Sequence, residues 1–88
     1  MTELSPSAAP TDTERRLVTE VVEPLLGFTP DEMSQDLIAL GADSMQLVHM
    51  LAQAEDLFDV ELSAVELMDN VSVAGLAALI DRQLASGG

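Results

Sequence analysis

Asp43, Ser44 and His49 supply the three residue types of a hydrolytic triad within one short stretch, DLIALGADSMQLVHM, residues 36 to 50. Geometry argues against that chemistry. On a helix, Ser44 and His49 are five residues apart, about 140° around the axis, and cannot face each other. No G-x-S-x-G elbow surrounds the serine, so nothing lifts it on a strand-to-helix turn as a nucleophile. With one histidine, no cysteine and no lysine, the chain has few groups that titrate near neutrality. No catalytic residue is expected, and the chain reads as a non-enzyme. Metal binding fares no better. DEMSQD, residues 31 to 36, has acids but neither the central glycine nor the closing glutamate of a calcium loop. It reads as a solvated acidic loop, with no metal site.

What Ser44 can do depends on where it stands. A hydroxyl on the first residue of a helix points outward, beside backbone N–H groups that have no intrahelical partner and at the positive end of the dipole. An anion attached there is stabilised. Gly41 permits a backbone turn just before it that a bulkier residue would resist. From these residues alone, an ordinary helix-start serine is the favoured reading of Ser44.

Four helical segments position that seam. Thr11 and Glu14 form a T-x-x-E capping box ahead of Leu17, Val18, Val21, Val22 and Leu25, which recur at three- and four-residue spacing. Pro24 sits late in this first helix and should kink or end it between Glu23 and Leu26, with Gly27 as the stop. A long connection over residues 27–43 follows. In it, TPDE (Thr29 to Glu32) is a second capping box with proline in the favoured first-turn position, predicting a short helical turn. Connections of this length in small domains tend to be functional.

Asp43 is the next N-cap, paired with Gln46 three residues on, so helix two starts at Ser44 and runs to about Phe58. Its core stripe is predicted to be Leu47, Leu51, Ala54 and Phe58. Ser63 with Glu66 caps a short third helix, SAVELMD. Ser72 caps a fourth, whose predicted buried stripe is Val73, Leu76, Ala77, Ile80 and Leu84. No internal repeat or heptad pattern is visible.

The whole-chain numbers agree with a single small domain. A chain of 88 residues buries about 60–65% of its unfolded surface in one core and has no room for two. The composition is 48% hydrophobic with only Phe28 and Phe58 as aromatics. That core must therefore be built from Leu, Val, Ile, Met and Ala, which favours helices. The predicted fold class is all-α: a small four-helix bundle with a long loop between helices one and two and a short third helix. The domain is expected over residues 11–85. MTELSPSAAP, residues 1–10, reads as a disordered N-terminal segment and residues 86–88 as a flexible tail.

Sixteen acids against Arg15, Arg16 and Arg82 give a formal charge of −13. Phosphate backbones and anionic lipid surfaces repel such a chain, so nucleic-acid and membrane partners are not expected. Electropositive protein partners are favoured, although acidity also serves solubility alone. Without cysteine there is no disulfide framework, thiolate metal site or protein-borne thioester. No run approaches a membrane span and Met1 opens no signal-peptide pattern. The expectation is a soluble, cytoplasmic monomer, since each helix needs its single apolar stripe for the core. The initial Met and low-complexity ends suggest a free-standing protein, though a domain excised from a larger synthase would look similar.

Taken together, DLIALGADSMQLVHML, the loop before it and LFDVELSAVELMDNVSVAGLAALI after it resemble the acyl and peptidyl carrier protein family over about residues 12 to 85. In that family the serine of G-x-D-S carries 4′-phosphopantetheine, and GADS is a common form. The resemblance implies that a separate phosphopantetheinyl transferase modifies Ser44 with coenzyme A, usually with Mg²⁺. It implies that Asp43 caps the helix near the transferase's metal while Gly41 shapes the preceding turn. It also accounts for the missing cysteine, because the thiol that holds the acyl group belongs to the cofactor. The carrier then tethers its cargo and raises its effective concentration at each partner.

The same resemblance places partner docking on Met45, His49, Ala52, Gln53 and Asp56, the face of helix two opposite its core stripe. Fatty-acid carriers usually have several acids there, whereas His49, Ala52 and Gln53 stand in this chain. VSVAGLAALI is similar to the closing segment of modular polyketide and nonribosomal peptide carriers, with Asn70 and Ser72 in place of the usual proline and threonine. The expected role is therefore a secondary-metabolism carrier, aminoacyl or peptidyl slightly ahead of polyketide acyl. It would be loaded by an adenylating or acyltransferase enzyme and served by condensing or tailoring enzymes. Two other readings stand: a fatty-acid-type acyl carrier, and a helical interaction domain that never carries a cofactor.

Overall fold

The computed structural model describes residues 10–86. Except for Pro10 and Ser86, the N-terminal segment and tail expected from sequence lie outside the described residues. Among the described residues the fold is all-α, four helices and no strand, as the apolar periodicity predicts.

Helix α1 occupies residues 12–26 in three continuous stretches: α-helical Asp12–Leu17, π-helical Val18–Val22 and α-helical Glu23–Leu26. The predicted capping box opens it. Thr11 Oγ1 accepts the Glu14 N–H at 3.1 Å, and Glu14 Oε1 accepts the Thr11 N–H at 2.8 Å. The sequence suggests a kink or end near Pro24; the chain instead widens one turn earlier. A proline has no N–H to donate, and its ring crowds the carbonyl four residues back. The π-turn relieves this, with the Glu23 N–H reaching Val18 O. The helix then stops at Gly27, whose φ is 82°.

Helices α2 (Ser44–Phe58), α3 (Ala64–Met68) and α4 (Val73–Ser86) complete the bundle. The first half of α1 packs on α4, its second half on α2, and α3 rests against α4. Leu17, Val21 and Val22 of α1 meet Leu47, Met50 and Ala54 of α2 and Val73, Leu76, Ala77 and Ile80 of α4 in one buried cluster. Burying aliphatic side chains of this size contributes about 1.5–3 kcal/mol each before chain entropy is counted. A Thr13 hydroxyl donating to Asp81 at 2.7 Å joins the start of α1 to α4.

Two predicted stripes need correction. On α2, Leu47 and Ala54 are buried, but Leu51 and Phe58 are only partly so, and Met50 is completely buried in their place. The buried face is turned toward α1, where the guanidinium of Arg16 lies 4.9 Å from the Phe58 ring centroid and covers it at the edge. On α4, Leu84 is 51% exposed rather than core. Asp81 pairs with Thr13 at the start of α1, so the last turn of α4, Leu84 included, lies beyond that contact.

The connection between α1 and α2 also differs from expectation. The TPDE capping box does not form; Thr29 donates its hydroxyl to Glu23 at the end of α1 instead, and residues 31–35 make bends and a turn. The single helical turn comes later, at residues 36–42. Backbone bonds hang this long loop from the segment before and into α4, Leu37 N–H to Val71 O at 2.9 Å and Ala74 N–H to Met33 O at 2.8 Å. The second of these satisfies a first-turn donor that has no partner within α4.

Candidate functional site

Gly41 sets the approach to Ser44. In the turn over 36–42, Asp36 Oδ1 accepts the Ile38 N–H at 2.9 Å and begins it. Ala42 N–H bonds to Leu37 O and Gly41 N–H to Ile38 O, both at 3.0 Å, the paired closure of a Schellman turn. Gly41 occupies its left-handed position with φ 114°. A side chain is strained there. Leu37 and Ala42, the pair that brackets this closure, are both buried. They anchor the loop immediately before the site.

Asp43 and Gln46 then form the predicted capping box. Asp43 Oδ1 accepts the Gln46 N–H at 2.9 Å and Gln46 Oε1 accepts the Asp43 N–H at 3.1 Å. Ser44 is the first residue of α2 and is exposed. With Asp43 filling the cap, the Ser44 hydroxyl makes no hydrogen bond among the described residues. It stands in solvent beside the open N–H groups of the helix start.

Beside Ser44 lies a cleft of about 350 Å³ between the 36–42 turn, α2 and α3. Ile38, Leu47, Val48, Leu51, Leu67 and Met68 supply most of its wall, and Ser44 and Asp43 complete one side. Among the described residues, Asp43 is its only charged lining residue. Three of the wall residues are also outward-facing: Ile38 47%, Val48 58% and Met68 58% exposed.

Of the residues expected to dock partners, Met45, His49, Ala52, Gln53 and Asp56 are all exposed on α2. They share a face. The exposed apolar residues Ile38, Val48, Val65 and Met68 were not anticipated. A sequence signal existed for three of them: Val48 is one turn from Ser44 on the same side of α2, and Val65 and Met68 repeat at three residues while Leu67 fills the core.

The walls of this cleft depend on a small lock at the start of α4. Ser72 is completely buried; its hydroxyl accepts the Gly75 N–H at 2.9 Å, as a cap should, and donates to Asn70 Oδ1 at 2.9 Å. A Cβ built at Gly75 would meet the Asn70 carbonyl oxygen at 2.1 Å, so the backbone between α3 and α4 closes this tightly only over a glycine. An Arg82–Glu66 ion pair at 3.2 Å joins the same two helices on the outside. Among the described residues no group of three or more His, Asp or Glu is placed to hold a metal ion, and no helix is long and apolar enough to cross a membrane.

Ser44 thus stands exposed at the capped start of the second helix of a small bundle, its hydroxyl unengaged among the described residues. A family model for the phosphopantetheine attachment site matches residues 16–80, and the chain belongs to this family of acyl and peptidyl carriers. Its members bear 4′-phosphopantetheine covalently; carrier domains of this kind are in general non-catalytic and are modified by a phosphopantetheinyl transferase. Neither curated proteins nor solved structures gave a match to the chain.

Proposed function

We propose that Ser44 is the attachment point of the cofactor and that the chain shuttles an aminoacyl, peptidyl or polyketide intermediate between cytoplasmic enzymes of secondary metabolism. The single observation that carries the assignment is the Ser44 hydroxyl: exposed, without a partner among the described residues, at the first turn of α2 and inside the matched region. When bound, the cofactor supplies a terminal thiol for a thioester. The chain's own residues do the positioning. The Gly41 turn and the Asp43 cap hold the serine outward, and because Asp43 satisfies the Gln46 N–H, the Ser44 hydroxyl is left for the transferase. The face of Met45, His49, Ala52, Gln53 and Asp56 is the docking face in this reading, with Asp43 and Gly41 in support of the attachment.

The pathway assignment rests on sequence: His49, Ala52 and Gln53 where fatty-acid carriers usually have acids, and the VSVAGLAALI segment of α4. One observation favours a second reading, a fatty-acid-type acyl carrier. The apolar cleft opens beside Ser44 and has room for part of an aliphatic chain. Loading assays separate the two. The holo protein is offered to adenylating enzymes with their amino or aryl acids and to a malonyl transferase with malonyl-coenzyme A. Selective loading by an adenylating enzyme overturns the fatty-acid reading; exclusive loading by the malonyl transferase removes the aminoacyl and peptidyl options and leaves a polyketide or fatty-acid acyl carrier.

A further inference from the structure

We infer that the backbone of Leu37 links the start of α2 to the α3–α4 junction, and that buried Ser72 acts through this link as a positioning residue for Ser44. The inference goes beyond the carrier reading, because it concerns how the serine's end of α2 is held whether or not the serine is modified. The Leu37 backbone is engaged on both sides. Its N–H donates to Val71 O at 2.9 Å, across to the junction, and its carbonyl accepts the Ala42 N–H at 3.0 Å, closing the turn that leads into Asp43 and Ser44. Leu37, Ala42 and Val71 are all buried, so little water competes for these bonds. A second bond, Ala74 N–H to Met33 O at 2.8 Å, ties the same loop to the first turn of α4.

Side chains fix the far end of the link. Val71, whose carbonyl takes the Leu37 N–H, lies between Asn70 and Ser72. The Ser72 hydroxyl donates to Asn70 Oδ1 and accepts the Gly75 N–H, both at 2.9 Å, and the Ser72 N–H bonds to Asn70 O at 2.9 Å. These three bonds hold the backbone on both sides of Val71 and so set the direction of its carbonyl. Gly75 packs so closely that a Cβ there would meet Asn70 O at 2.1 Å, which leaves the segment no room to shift toward α4. Polar groups buried in such a network are costly to leave without partners, so the bonds form and break together. A continuous run of them joins Ser72 to the head of α2: Val71 O, Leu37, Ala42, then the Asp43–Gln46 pair that encloses Ser44. Segments joined in this way open as one unit.

The test follows amide hydrogen exchange residue by residue by NMR in the native chain, Ser72→Ala, Ser72→Thr and the core control Val22→Ala. Four N–H groups report along the link: Gly75 at the junction, Leu37 and Ala42 in the turn, and Gln46 at the cap. Ser72→Ala should accelerate all four together by about tenfold, equivalent to about 1.4 kcal/mol of local opening. Ser72→Thr keeps the hydroxyl and should restore the native rates. Val22→Ala loosens the buried contact of α1 without touching the link, and should leave the four within about twofold of native. Coupling is reciprocal, so Gly41→Ala, which strains the turn, should accelerate the Gly75 N–H in return. Acceleration of Gly75 alone in Ser72→Ala, with Leu37, Ala42 and Gln46 at native rates, overturns the inference. An equal acceleration of the four by Val22→Ala overturns it too, since global unfolding then accounts for the effect. If Ser72→Ala does not fold, Asn70→Ala, which removes only the exposed half of the lock, is judged by the same rates. No transferase enters these measurements, so their failure leaves the carrier reading standing, and a chain that is never modified leaves the link standing.

Discussion

Asp43 and Gln46 hold each other's backbone N–H groups, at 2.9 and 3.1 Å, and the residue enclosed at the head of that reciprocal pair is Ser44. The cap is therefore supplied by the residue before the serine, not by the serine. This division frees the hydroxyl for modification while the helix start stays closed.

Removing the cap should separate structure from charge. Asp43→Ala is expected to cost about 0.5–2 kcal/mol, whereas Asp43→Asn, an equally good cap, should stay close to native. Thermal melts check this, at about 4–8 °C per kcal/mol for a domain of this size. A loss as large in Asp43→Asn as in Asp43→Ala would show that the carboxylate charge, not the cap, supports the helix.

Gly41→Ala should destabilise the chain by about 1–3 kcal/mol, because φ 114° lies in the region an L side chain avoids, although open space surrounds the position. The strain falls one turn before Ser44, so transferase turnover should fall along with the melting temperature. An unchanged melt would mean that the turn re-forms without its left-handed residue.

At the α3–α4 junction the expected fault is steric rather than conformational. Gly75→Ala forces the Asn70 carbonyl away from a contact of 2.1 Å and should cost about 1–3 kcal/mol. Ser72→Ala leaves Asn70 Oδ1 and the buried Gly75 N–H without their hydroxyl partner and should cost a similar amount, about 1–3 kcal/mol, while Ser72→Thr keeps the bonds. Urea titrations of the three variants give the comparison directly. A native midpoint for Ser72→Ala would remove the junction from the account.

The core prediction reverses two sequence-based assignments. Met50→Ala should lose about 2–5 kcal/mol, since Met50 has no exposed surface, and Leu84→Ala should stay within about 0.5 kcal/mol. Equal losses in denaturant titrations would contradict the placement of both.

The order of the helices, their caps and the Gly27 stop were legible in the sequence because each is a local pattern: Thr11 with Glu14, Asp43 with Gln46, Ser63 and Ser72 ahead of apolar repeats. What was not legible depended on tertiary partners. Met50 was missed because the angle of the core face on α2 is set by where α1 lies. Leu84 continues the α4 stripe in sequence but overhangs the helix it would pack on. Thr29 had a cap motif, yet Glu23, six residues earlier, offered a stronger partner across the end of α1. The π-turn before Pro24 is a compromise between a proline and a helix held by packing on both sides, which no short motif announces. The residues at the site were legible as a string, GADS; the apolar wall beside them was not, because Ile38, Val48 and Met68 come from three segments that only the fold unites.

The most direct test of the central claim is an intact-mass spectrum after incubation with coenzyme A, Mg²⁺ and a broad-tolerance phosphopantetheinyl transferase, with Ser44→Ala alongside. The account predicts one phosphopantetheine on the native chain and none on Ser44→Ala, whose fold should be unchanged because the Ser44 hydroxyl holds no group among the described residues. No addition to the native chain, or addition to both, would contradict it.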